Sequence, residues 1–104
     1  MDWKKSFTKR EQEVLSQLIQ LIQENLKPKR IILFGSRAKG KFAKNADFDL
    51  AVDCPPPSSE KKFSMEDEID QASGLYKVDL VFLSEVDKNF KEIILQTGKT
   101  VYAK

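Results

Sequence analysis

The chain has 104 residues, a formal net charge of +2, and 40% hydrophobic and 33% charged residues, which describes a globular chain with one modest core. Cys54 is the single cysteine and histidine is absent, which excludes an intrachain disulfide, Ser-His-Asp and Cys-His catalysis, and the usual zinc sites. Any metal site must then be built from oxygen ligands, which points to magnesium or manganese.

No apolar run approaches the roughly 20 residues that cross a bilayer. The start, MDWKKSF, is basic with no apolar stretch behind it, so no secretory signal is expected and a cytoplasmic location is the default. Charge is unevenly spread. Up to Phe42, ten Lys/Arg against four Asp/Glu give roughly +6, and the remainder carries roughly −4. A solvated surface accounts for most such asymmetry, and a polyanionic ligand or acidic partner is the sharper reading.

Thr8 followed by Glu11 reads as a capping box. Val14, Leu15, Leu18, Ile19, Leu21, Ile22 and Leu26 then repeat at helical spacing, until Lys27-Pro28 ends the helix. Ile31 to Phe34 is a short β-branched run between proline and glycine, expected as a central strand. Gly35 allows a close turn, Ser36 is expected to cap a helical turn over Arg37-Ala38-Lys39, and Gly40 ends it. Lys41 to Ala46 is a basic loop. Asp47 to Val52 alternates, with Asp47, Asp49 and Ala51 on one face and Phe48, Leu50 and Val52 on the other.

After a loop stiffened by Pro55, Pro56 and Pro57, Ser59 is the expected cap of a helix over Glu60 to Ser73, with Phe63, Met65, Ile69 and Ala72 inward and Gly74 closing it. Val78 to Leu83 is expected as a second buried strand. Its one charge, Asp79, would need a partner or a metal if buried, or else a place at the strand's open end. Ser84 to Thr97 is the expected last helix, with Phe90, Ile93 and Ile94 inward and Gly98 as its stop; Val101-Tyr102 forms a short final strand. The order is α/β in character: a small mixed sheet flanked by helices, in a single domain over residues 1–104.

The chemistry concentrates between Gly35 and Asp79. Asp47 and Asp49 stand two residues apart on one strand face, roughly 6–7 Å between Cα atoms, and repel unless a cation sits between them. Three aspartates with a Gly-Ser turn suit two-metal phosphoryl or nucleotidyl transfer. Asp47 and Asp49 would bridge two Mg2+ ions, with Mn2+ as an alternative. Asp79 would hold the metal that activates the attacking hydroxyl and accept its proton. Ser36 and the N–H groups around it would cradle the phosphates of ATP or another nucleoside triphosphate, with Arg37 or Lys39 adding charge. No Gly-Lys-Ser/Thr follows a Gly-rich stretch, which argues against a P-loop.

Gly35-Ser36, ten intervening residues and Asp47-Phe48-Asp49 resemble the signature of the DNA polymerase β-type nucleotidyltransferase superfamily. The longer form, GSRAKG followed by DFDLAV, resembles its minimal nucleotidyltransferase branch, over about Ile31 to Tyr102. VDLV matches that family's third-carboxylate strand and places the third metal ligand on Asp79. The resemblance implies the nucleotidyltransferase fold and an antitoxin paired with a HEPN-domain toxin, with transfer of AMP from ATP to a tyrosine of that toxin. Without a substrate-binding domain, the acceptor would be supported by a partner protein or a second copy of the chain. Two other readings stay open: a non-catalytic antitoxin that neutralises by occlusion, and the catalytic subunit of a two-chain small-molecule transferase. The charge of the basic half is too modest to indicate nucleic-acid binding.

Overall fold

The computed structural model describes residues 6–104; residues 1–5, most of the basic start, lie outside them. Eight elements follow in the expected order: α1 (Lys9–Leu26), β1 (Arg30–Phe34), α2 (Ser36–Lys39), β2 (Phe48–Val52), α3 (Ser59–Ser73), β3 (Val78–Phe82), α4 (Lys88–Thr97) and β4 (Lys99–Ala103). The strands form one mixed sheet in the order β3-β2-β1-β4. β1 is antiparallel to both β2 and β4, while β2 is parallel to β3. No helix among the described residues is long and apolar enough to cross a membrane.

The capping box forms as its spacing dictates. Thr8 Oγ1 accepts the Glu11 N–H at 3.1 Å, and Glu11 Oε1 accepts the Thr8 N–H at 2.7 Å. Such a cap is typically worth about 1 kcal/mol. Val14, Leu15, Leu18 and Ile22 of α1 are fully buried and pack with Met65 and Ile69 of α3 over one sheet face, formed by Ile31, Leu33, Phe48, Leu50 and Val52. Each such side chain contributes about 1.5–3 kcal/mol relative to exposure. The opposite face is smaller: Ile32, Ala51, Leu83 and Ile94 are buried there, with Phe34, Val81 and Phe90 packed against them.

Several local expectations shift. Ser58, one residue before the expected Ser59, caps α3, accepting the Lys61 N–H at 3.3 Å. Phe63 points to solvent at 78% exposure while Met65 is fully buried; two positions apart on a helix they cannot share a face. The last helix begins at Lys88, capped by Asp87, because residues 83–86 form a turn after β3. Ile93, expected inward, is 55% exposed. β3 is an edge strand with Asp79 exposed, not a buried strand. The argument from the cost of burying Asp79 therefore falls, because an edge strand leaves its carboxylate in water.

Candidate functional site

The topology assembles the site. Because β1 opposes β2 while β3 runs alongside β2, the end of β1 and the starts of β2 and β3 lie at one end of the sheet. Phe34 is in register with Asp49, and Asp49 with Asp79. Partners in adjacent strands stand about 4.8 Å apart, and register partners project from the same face. Asp47 immediately precedes β2, two residues from Asp49. The three aspartates thus form a row at this end, on the face covered further along by α4. Phe34, in register with Asp49, makes an edge-to-face pair with Phe90 on this face, centroids 5.7 Å apart.

Asp49 feels that row. Burial first, then the charges of Asp79 and Asp47, push its carboxyl up from 3.8 to about 6, against the opposing charge of Arg37. Loss of solvation and like charge both disfavour the carboxylate, and a bound cation would reverse both effects.

Gly35 faces the same carboxylate. Its backbone, φ 73° and ψ −153°, lies in a region essentially reserved for glycine. A Cβ at this position would collide with Asp49 Oδ2. The turn and the carboxylate strand can approach this closely only because the residue has no side chain.

Ser36 is exposed and is the first residue of α2, not its cap: Gly35 holds the N-cap position, and no side chain caps the turn. The first N–H groups of a helix have no acceptor within it, so those of this turn can face an anion. Lys39 is also exposed on α2.

Arg37 departs from expectation. Its side chain is buried, 2% exposed, and its guanidinium is committed inside the protein. Nη1 donates to Glu11 Oε2 at 2.5 Å, while Nε and Nη2 donate to the Ala46 carbonyl at 3.0 and 2.8 Å. Burial, the largest influence on Glu11, pushes its carboxyl up, but the hydrogen bonds from Arg37 and Thr8 and the Arg37 charge together bring it below its ordinary value. A guanidinium so engaged is not free to clamp a phosphate. Sequence reasoning missed Glu11 and Ala46 as its partners, since Glu11 stands 26 positions away and its capping-box spacing signals only a helix start.

The carboxylate oxygens are hard donors suited to Mg2+ or Mn2+. The glycine cradle against Asp49 and the upward pull on its carboxyl fit a divalent cation at this point. Among the described residues, no three or more acidic side chains converge closely enough to hold a metal ion between them, so the three aspartates are a row along the sheet end and not a formed metal centre. Clefts of about 400 Å³ lie elsewhere, one lined by Gln23, Glu24, Lys27, Pro28, Tyr102 and Lys104.

A glycine turn beside a row of carboxylates at the end of a mixed sheet is the architecture of the nucleotidyltransferase fold. The chain belongs to the polymerase beta nucleotidyltransferase family, whose profile matches residues 16–104. A chain of a toxin–antitoxin structure with AMP-PNP is similar to it with a TM-score of 0.72 and 25% identity, over 86% of this chain and 73% of that one. A chain from the tri-AMPylated Shewanella oneidensis HEPN toxin in complex with MNT antitoxin gives 0.68 and 23%, over 89% and 72%. A minimal nucleotidyltransferase gives 0.67 and 21%, over 95% of both chains. No curated protein matches the chain.

Proposed function

We propose that this single minimal domain, residues 1–104, transfers AMP from ATP in a Mg2+-dependent reaction to a tyrosine hydroxyl of a HEPN-type toxin, and so acts as its antitoxin in the cytoplasm. The observation that carries the reading is the row of Asp47, Asp49 and Asp79 against Gly35, with the Asp49 carboxyl pushed up to about 6 by burial and by its acidic neighbours. A scaffold gains nothing from like charges held together; a metal site needs them. The toxin–antitoxin structures with AMP-PNP and with an AMPylated HEPN toxin support the choice of nucleotide and partner.

In the reaction the acceptor oxygen attacks the α-phosphorus of ATP. A new P–O bond forms, the bond from the α-phosphorus to the α,β-bridging oxygen breaks, and pyrophosphate leaves with that electron pair. Bound Mg2+ would supply charge for the phosphate oxygens and lower the pKa of the attacking hydroxyl. Asp47 and Asp49 would hold the nucleotide-associated cations, and Asp79 the one at the attacking hydroxyl. Asp79 is exposed on the edge strand, and its carboxylate takes the hydroxyl proton. The N–H groups of the Gly35–Ser36 turn and the Ser36 hydroxyl hold the β- and γ-phosphates, and Lys39 adds positive charge.

The test is transfer of label from α-labelled ATP with Mg2+ in a host-cell lysate, comparing the wild-type chain with the Asp47→Ala/Asp49→Ala double variant. A labelled protein band that requires both aspartates is expected. Label on a nucleic acid or a small molecule would replace the acceptor. No label, with a partner that co-purifies with both forms, would replace the enzyme by an occluding antitoxin.

A further inference from the structure

A buried arginine is costly: its desolvation is rarely recovered in full by one ion pair, and an apolar side chain of similar size commonly serves stability as well. Arg37 is nevertheless enclosed, and its two bonds to a carbonyl and its nearest ring fall on the segment that carries Asp47 and Asp49. Nε and Nη2 converge on the carbonyl of Ala46, the residue before Asp47. Its guanidinium carbon lies 4.2 Å from the ring centroid of Phe48, the residue between Asp47 and Asp49. The rings of Phe42, Phe7 and Tyr76 close the cage at 4.6, 5.3 and 5.3 Å. The third nitrogen is fixed by Glu11, itself pinned by the α1 cap.

Arg37 also belongs to α2, one residue after Ser36 and two after Gly35. A single planar fork therefore joins the phosphate turn to the strand that carries the carboxylates. Lysine could supply the charge but not this geometry, because its one ammonium cannot bond Glu11 and the Ala46 carbonyl as a rigid fork does.

We infer that Arg37 is a positioning residue: through the Ala46 carbonyl it sets the spacing between the Gly35–Ser36 turn and Asp47/Asp49, and thereby the affinity of the carboxylates for divalent cation. The inference rests on the carboxylates being metal ligands. Outer contacts that orient metal ligands typically change affinity by about 10–100-fold when removed.

The experiment is calorimetric titration of Mn2+ without nucleotide into wild type, Arg37→Lys and Leu18→Ala. Leu18 is fully buried in the same core but belongs to α1, outside both the turn and the carboxylate strand, so its truncation serves as the control for loss of stability. Arg37→Lys is expected to bind Mn2+ about 10–100-fold more weakly, and Leu18→Ala to bind it as wild type does. Equal affinity of Arg37→Lys and wild type, or equal weakening by Leu18→Ala, overturns the inference while leaving the metal site in place. A wild-type chain that binds no Mn2+ overturns the metal assignment itself, and this inference with it. Should Arg37→Lys fail to fold, the wild-type NMR spectrum decides. The Arg37 Nε–H resonance should shift on saturation with Mg2+, while that of Arg30, bonded to Asp53 at 3.0 Å, stays in place. An Arg37 resonance indifferent to Mg2+ overturns the inference.

Discussion

Replacing Asp49 by asparagine should make the protein more stable in the absence of divalent cations, although it removes a group on which the proposed chemistry depends. The folded chain holds this carboxyl at about 6 against an ordinary 3.8. It therefore binds its proton more tightly when folded than when unfolded. Stability falls as pH rises from about 3.8 through about 6, and the whole penalty is present above that range. At 1.36 kcal/mol per pH unit the penalty is about 3 kcal/mol, and about 1–2 kcal/mol once solvent screening at this half-buried position is allowed for. For a domain of this size that corresponds to a rise in Tm of about 5–10 °C. Thermal unfolding in EDTA at pH 8 and pH 4, for wild type and Asp49→Asn, is the assay. The variant should melt higher at pH 8, with the gap closing by pH 4. Millimolar Mg2+ at pH 8 should raise the wild-type Tm and leave the variant unmoved. A variant that is no more stable at pH 8, or whose advantage is the same at both pH values, would refute the reasoning.

Two further substitutions probe other parts of the argument. Gly35→Ala forces a Cβ against the Asp49 carboxylate at a backbone conformation reserved for glycine. It should cost about 1–3 kcal/mol in urea unfolding and lower kcat/KM for transfer by about 100-fold or more through misplacement of the turn; near-normal transfer would disprove the close approach. Phe63→Ser should change stability by less than about 0.5 kcal/mol in the same assay, as expected of an exposed position, whereas a loss of about 3–5 kcal/mol would mean that the ring is buried after all.

Local signals were legible in the sequence wherever the physics is local. Thr8 and Glu11 satisfy each other's backbone whatever else the chain does, and the stripe from Val14 to Ile22 follows from 3.6-residue periodicity alone. The order of eight elements, the alternation of Phe48, Leu50 and Val52, and the stops at Gly40, Gly74 and Gly98 have the same origin. The turn at Gly35 and the Asp-x-Asp strand could be paired through their resemblance to the nucleotidyltransferase signature, since ten intervening residues by themselves fix no contact. One-residue cap errors, such as Ser59 for Ser58, reflect two serines competing for one hydrogen bond.

Burial and partnership were decided by tertiary structure. VDLVF reads the same whether the strand is central or at an edge; the sheet order β3-β2-β1-β4 put it at the edge and left Asp79 exposed. Arg37 sits in a motif that, by composition, favours phosphate. Its direction was set by Glu11 on α1, the Ala46 carbonyl and four aromatic rings, of which Phe7 and Tyr76 come from distant segments. The sequence by itself determined which residues could form a turn, a carboxylate strand and a capped helix, because those choices depend on neighbours along the chain. Which charges would meet, and which would be turned inward, depended on contacts between segments far apart in sequence, and only the folded chain brings those together.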